Sequence, residues 1–436
     1  MNIEYNMEYD MRYDIETYLN SLPEDITKIN VSNSNLEYIP SLSRFKNLEV
    51  LYCSNNRLSS LPQLNESLKQ LICYNNNLTF LPRLNKNLIR LYCYNNKLKT
   101  LPKLNQKLEI INCHNNQLRS LPDLNENLES LYCYNNKLKS LPELNEKLKI
   151  LICHHNQLRS LPNLNENLIE LYCSNNNLMF IPFLNKNLEI FGCSYNQLIS
   201  LPTLNKNLKT LNCYNNILTS LPELNENLEI LNCHDNQLTF LPTLNKNLDT
   251  LNCYNNKLTV LPELNKKLKT LNCHVNQLTF LPALNENLKT LGCSGNKLTF
   301  LPTLNENLET LFCCNNSLTF LSQLNENLET LYCSKNKLII LPSLNKKLRI
   351  FNYSDNPISE IITNYSIYND SVYFINIKIQ ILNKFRILFY SLKFKSRFRQ
   401  WYMKAMEVRI MEKYHPSYLI ENLKDDTDLD EFLEKW

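Results

Sequence analysis

Leucine dominates the apolar positions of this chain, and it returns at fixed offsets. From about Leu48 to Leu348 the sequence follows one 20-residue frame, L-x-x-L-x-C-x-x-N-x-L-x-x-L-P-x-L-N-x-x, whose register never slips. Asn56 recurs as Asn76, Asn96 and Asn116, without a gap, to Asn336 and Asn356. Cys53 recurs in the same way through Cys333. A fixed period of this length is the signature of a stacked repeat, in which each unit buries its apolar edge against its neighbours.

One repeat, residues 88–107 (LIRLYCYNNKLKTLPKLNQK), predicts its own local structure. Around Arg90-Leu91-Tyr92-Cys93-Tyr94 the side chains alternate as a strand requires, with Leu91 and Cys93 inward and Arg90, Tyr92 and Tyr94 outward. Asn96 then turns the chain, and its amide is placed to bond backbone groups of its own and neighbouring units. Leu98, Leu101 and Leu104 fill the interior. Pro102 fixes φ, and the short return segment leaves no room for a long helix. Stacking predicts an α/β solenoid with a parallel sheet of about 16 strands on its concave side, an arc of roughly 75 Å at ~4.8 Å per strand. The convex side is expected to be extended, with helical segments at both ends.

The ends depart from the frame. Residues 1–21 carry Tyr5, Tyr9 and Tyr13 with Met7, Met11 and Ile15, a helical spacing that predicts an N-terminal cap. The solenoid is assigned to 22–356, with about 16 repeats. Residues 26–47 form a divergent first unit, with Val31 at the cysteine phase and Ser34 at the asparagine phase. Residues 357–436 form a helical C-terminal segment. Within it, 371–415 hold ten Lys/Arg against two acids, and 416–436 hold seven acids against two lysines. Pro416 suits a helix start, and Thr427-Asp428 a cap for a last helix. The basic part has two readings: a surface for nucleic acid or anionic membrane, or a cap on the last repeat neutralised by the acidic end.

Composition narrows the function classes. The net charge of +4 argues against a strong polyanion binder as a whole, and no nucleic acid is expected as partner. Fifteen of the 16 cysteines occupy one repeat position and the last is Cys314, which is unlike a disulfide framework and suits a reducing compartment. The N-terminal MNIEYNMEYDMRYD has no apolar core of a secretory signal. No stretch of about 18 uncharged apolar residues exists, so no membrane span is expected. These features together place the protein in the cytoplasm. A ladder of cysteines in parallel strands does not converge tetrahedrally, so neither a metal nor another cofactor is expected. Cys314, the one thiol expected to face outward, has no base beside it.

The repeat resembles a leucine-rich repeat. Its short form, with L-P-x-L in the return segment, resembles the repeats of bacterial type III secreted effectors. The Asn/Tyr/Lys-rich composition is similar to that of leucine-rich repeat proteins of giant amoeba-infecting viruses, which would imply a host-cell cytoplasm. The resemblance covers about residues 22–356 and implies the fold and, generally, contact with a protein partner. Some such effectors add a ubiquitin-ligase domain with a catalytic cysteine. No cysteine follows Cys333 here, so that activity is not expected, and the protein is read as no enzyme.

The outward strand positions are the candidate binding surface. Tyr92, Tyr94, His114, Tyr132, Tyr134 and His154 are the expected partner anchors, a band of rigid aromatic side chains in which tyrosine is a type enriched in interface hot spots. Ile110, Ile150, Ile190 and Ile230 add apolar groups. From Thr210 onward the face turns polar, with columns of Asn (Asn212 to Asn272) and Thr (Thr250 to Thr330). Tyr94, Tyr134, Tyr214 and Tyr254 alternate with His114, His154, His234 and His274, which also reads as duplication of a 40-residue pair. The expected function is a non-enzymatic scaffold binding a protein on this face. The alternative is a substrate-recognition adaptor for a ubiquitin or degradation machinery, with the helical tail docking the machine.

Overall fold

The computed structural model describes residues 14–362 and 372–414. Between two terminal helical segments the chain winds into a solenoid whose three-residue strands form one parallel sheet of 17 members. The strands are Lys28–Asn30, Val50–Tyr52, and then one every 20 residues to Ile350–Asn352. Each pairs with the next in sequence and in identical register, as in Leu71↔Leu91 and Leu211↔Leu231. Only the first step is longer, with Ile29 opposite Leu51, because the divergent first unit carries two extra residues. That unit joins the sheet fully, so the strand total exceeds the sixteen expected from the regular frame.

The inward residues make one continuous core. In the repeat at 88–107, Leu88, Leu91, Cys93 and Leu98 have no solvent exposure, and Leu101 and Leu104 are also buried. The return segments carry turns but no helix or strand. A core one leucine layer thick can therefore extend by repetition, each unit covering the last.

Two ladders of buried asparagine tie the units together. The Asn96 amide donates to the carbonyls of Cys73 (3.0 Å), Cys93 (3.2 Å) and Tyr94 (3.2 Å), and its oxygen accepts from the Leu78 N–H (2.9 Å). One side chain thus bonds four backbone groups in two units; of these the Tyr94 carbonyl also accepts from the Asn75 N–H (3.0 Å). The first unit has Ser34 instead, and its Ser34 and Leu36 N–H groups donate to Asn56 of the next unit. The second ladder uses the asparagine after L-P-x-L, as in Asn85, which donates to the Asn65 carbonyl (2.6 Å) and the Leu68 carbonyl (3.0 Å). The left-handed turn lies one residue earlier than expected, at Asn95 (φ 52°) and its equivalents, not at Asn96. Asparagine is the non-glycine residue that best tolerates this conformation, and His155, Tyr195, Asp235 and Val275 adopt it as well.

At the N-terminal end, α1 (Ile15–Ser21) is capped by Asp14, which accepts from the Glu16 N–H. Ile15 and Leu19 are buried in the same core as the leucines, and Arg44 donates to the Leu19 and Leu22 carbonyls at the helix end. The tyrosines and methionines up to Tyr13 lie outside the described residues. At the other end are α2 (Pro357–Ile362) and the 43-residue α3 (Val372–Tyr414). Ile375 and Ile379 of α3 are buried against the last repeats. Asn376 exchanges two hydrogen bonds with the Leu344 backbone, and Asn383 and Arg386 donate to the Leu341 and Ile339 carbonyls. The elements expected after Tyr414, at Pro416 and Thr427-Asp428, lie outside the described residues.

Candidate concave binding face

In-register parallel strands place equivalent residues about 4.8 Å apart. That spacing is close to the contact distance of stacked rings, so planar side chains repeated at one strand position stack. The residue after each cysteine shows this. Tyr74, Tyr94, His114, Tyr134 and His154 form a five-ring stack with centroids 4.4, 4.3, 4.2 and 4.4 Å apart and planes within 22° of parallel. Ser174 and Ser194 interrupt it. Tyr214, His234, Tyr254 and His274 then form a second stack at 4.3, 4.1 and 4.3 Å.

The six expected anchors therefore fall into two columns. Tyr94, His114, Tyr134 and His154 belong to the first stack. Tyr92 and Tyr132 lie one column inward, on either side of Asn112, in strands Arg90–Tyr92 and Ser130–Tyr132. All six are half-buried. Stacked rings cover each other's faces and leave their edges outward. His154 and His155 meet edge to face at 5.1 Å.

Burial within the stacks keeps His114, His154 and His274 toward the neutral form. Desolvation, with a smaller contribution from His154, pushes the His114 pKa down to about 4. His154 is likewise lowered to about 4 by desolvation and by His155. His274 is lowered by desolvation and His234. Nδ1 of His114 lies 2.5 Å from the Asn112 amide oxygen, an acceptor. The proton of the neutral ring therefore sits on Nδ1, and Nε2 is left as an acceptor. The outward edge of the stack thus carries tyrosine hydroxyls alternating with imidazole nitrogens, beside the rings of Tyr92 and Tyr132.

The polar C-terminal half of the face consumes its own polarity. Asn232, Asn252 and Asn272 each donate to the amide oxygen of the previous asparagine, at 2.5, 2.6 and 2.6 Å. The Tyr74 ring and the second stack were not among the six expected anchors. The signal was present in the Tyr/His alternation, which reads as duplication until the strand register converts it to stacking.

The cysteines of the frame are buried and free, and desolvation raises every one of their pKa values, for example to about 12 at Cys113. Cys314 is partly exposed, and its sulfur accepts from the Ser334 hydroxyl at 3.3 Å. Among the described residues no group of three His, Cys, Asp or Glu is arranged to hold a metal ion. No described helix is long and apolar enough to cross a membrane.

A parallel sheet of one short strand per 20-residue turn, backed by leucine and an asparagine ladder, defines a leucine-rich repeat protein. Comparison with solved structures agrees. The chain is similar to YopM, a leucine-rich effector protein of Yersinia pestis, at 34% identity over 75% of this chain and 88% of that one, TM-score 0.64. YopM of Yersinia enterocolitica gives 31% identity, 76% and 88% coverage and TM-score 0.60. A leucine-rich repeat protein of Leptospira interrogans gives 29%, 79% and 93%, with TM-score 0.62. This chain belongs to the leucine-rich repeat family. No family model and no curated protein sequence matches it.

Proposed function

We propose that the chain is a non-catalytic scaffold that binds a protein partner on its concave sheet. The observation that carries this reading is the five-ring stack from Tyr74 to His154, flanked by Tyr92 and Tyr132. Binding costs side-chain ordering at the interface, and rings already clamped between neighbours lose little further freedom. Tyr92, Tyr94, His114, Tyr132, Tyr134 and His154 are the proposed anchors. The N-terminal half is favoured over the C-terminal half, because the asparagines there already satisfy one another.

Fifteen buried free thiols suit a reducing environment, which supports a cytoplasmic setting for this activity. The Yersinia pestis neighbour is a leucine-rich effector protein, which supports an effector-like role. The reported likenesses are to bacterial proteins, and the giant-virus resemblance rests on composition alone. A second reading, favoured by a long C-terminal helix reaching beyond the repeats, is an adaptor for a degradation machinery, with the sheet selecting the target and the helix docking the machine.

The test is affinity capture with the full chain, a Tyr92→Ser/Tyr94→Ser/Tyr134→Ser variant and a chain lacking residues 371–436. Interface hot spots contribute about 2 kcal/mol or more each, so the triple variant should lose a concave-face partner entirely while keeping its fold. A partner captured equally well by that variant removes the tyrosine band from the site. One lost only with the C-terminal segment moves recognition to the helix.

A further inference from the structure

The first turns of α3 are anchored on the last repeats, but the helix continues well past them. Phe385, Ile387, Leu388, Phe389, Leu392 and Met403 are each between 54% and 68% exposed. A helix that is apolar over so much of its surface is ordinarily buried. Residues 372–406 hold eight Lys/Arg and no Asp or Glu. Among the described residues, none of these bases enters an ion pair; the Lys393 ammonium lies instead over the rings of Phe389 and Phe394, at 5.7 and 5.9 Å.

We propose that α3 beyond residue 384 is a docking helix for an anionic lipid surface, lying in its plane. At 3.6 residues per turn, Phe385, Phe389, Leu392 and Met403 fall on one face, while the exposed Ile387, Tyr390, Phe394 and Trp401 lie around the opposite one. Lys393 and Lys404 run along one border of that face, and Lys395 and Arg399 along the other. A ring-and-aliphatic face bordered by bases on both sides inserts between acyl chains while the long cationic side chains reach up to the headgroups. The helix is not apolar enough to cross the bilayer. A polynucleotide would engage the bases but offer the aliphatic groups nothing. A second copy would set eight like charges against eight. The solenoid would then be held at a membrane with its concave face unobstructed, independently of which partner that face takes.

The experiment is sedimentation of the full chain with phosphatidylcholine vesicles, with and without phosphatidylserine. Two variants are compared: Lys393→Gln/Lys395→Gln/Arg399→Gln/Lys404→Gln, and Phe389→Ser/Leu392→Ser. Far-UV circular dichroism of each confirms that the helix persists. The expected result is binding to phosphatidylserine vesicles and little to pure phosphatidylcholine, reduced roughly a hundredfold or more by removing the four charges and clearly weakened by the two serines. Equal binding to both vesicles, or none to either, overturns the proposal; the latter leaves the acidic segment 416–436 as the occupant to test. Binding of a single-stranded RNA that ignores the two serines, with no vesicle binding, assigns the helix to nucleic acid instead.

Discussion

The rings of Tyr94 and His114 lie 4.3 Å apart and 12° from parallel, one strand of the sheet separating their backbones from coincidence. Nothing but register is needed to bring them together. Each occupies the position after the cysteine, and each adds one plate to a column that Tyr134 and His154 continue. This makes the candidate site a rigid feature of the solenoid, and it also fixes the protonation state of the histidines.

His114 and His154 should titrate near pH 4, well below the ordinary value of about 6.5. Their folded pKa values are depressed, so the stability they contribute is complete above about pH 6.5 and is lost as pH falls from there through 4. NMR titration of the imidazole carbon-bound protons would give the midpoints. Values at or above 6.5 would mean that attraction between imidazolium and the flanking tyrosine faces outweighs desolvation, and the neutral stack would be wrong.

Removing one rung of the buried asparagine ladder should be costly. The Asn136 amide donates to the Cys113, Cys133 and Tyr134 carbonyls, and its oxygen accepts from the Leu118 N–H. The Tyr134 carbonyl keeps the Asn115 N–H (3.1 Å), but Asn136→Ala leaves the other three groups without this partner, at about 1–3 kcal/mol for each that water cannot reach. Urea unfolding should show a loss of about 3 kcal/mol or more. A loss below about 1 kcal/mol would show that the turn finds other partners.

Val275 is the branched residue in the series of left-handed turns, at φ 52°. A β-branched side chain is strained there, whereas asparagine is tolerated. Val275→Asn should raise stability by about 1 kcal/mol, read as a higher urea midpoint at unchanged slope. An unchanged or lowered midpoint would mean that the neighbouring turns already relieve the strain.

The cysteine ladder makes the fold sensitive to alkali. Burial raises the folded pKa of these thiols, to about 12 at Cys53, Cys153 and Cys213, against about 8.5 in an unfolded chain. Their stability contribution is therefore complete below about pH 8.5 and is lost as pH rises toward 12, at up to about 1.4 kcal/mol per thiol per pH unit. The thermal midpoint should be level from pH 7 to 8 and fall steeply above about 9. In the native protein at neutral pH, a thiol reagent should label Cys314 first and the other fifteen only on unfolding.

Much of this was legible in the residues, because whatever repeats can be read as a column. The inward Leu91 and Cys93, the outward Tyr92 and Tyr94 and the bonding role of Asn96 all follow from one 20-residue unit. Less legible was anything that depends on atomic distance between units. Asn occupies both 95 and 96, so the sequence does not show which one takes the left-handed turn; the substitutions at His155, Tyr195 and Val275 even point away from position 95. The second ladder through Asn85 is an equally regular column, but its partners are carbonyls of the preceding unit, and a single repeat does not reveal them. Stacking was hidden for a similar reason, since alternating Tyr and His differ as letters while being interchangeable as plates.

The most direct test of the concave-face account is site-specific photo-crosslinking of the captured partner. A benzophenone amino acid would replace Tyr132 in one sample and Glu126, an exposed residue of the return turn, in another. Crosslinking from position 132 and none from 126 is the result the account expects. Efficient crosslinking from 126 with none from 132 would contradict it and move the interface off the sheet.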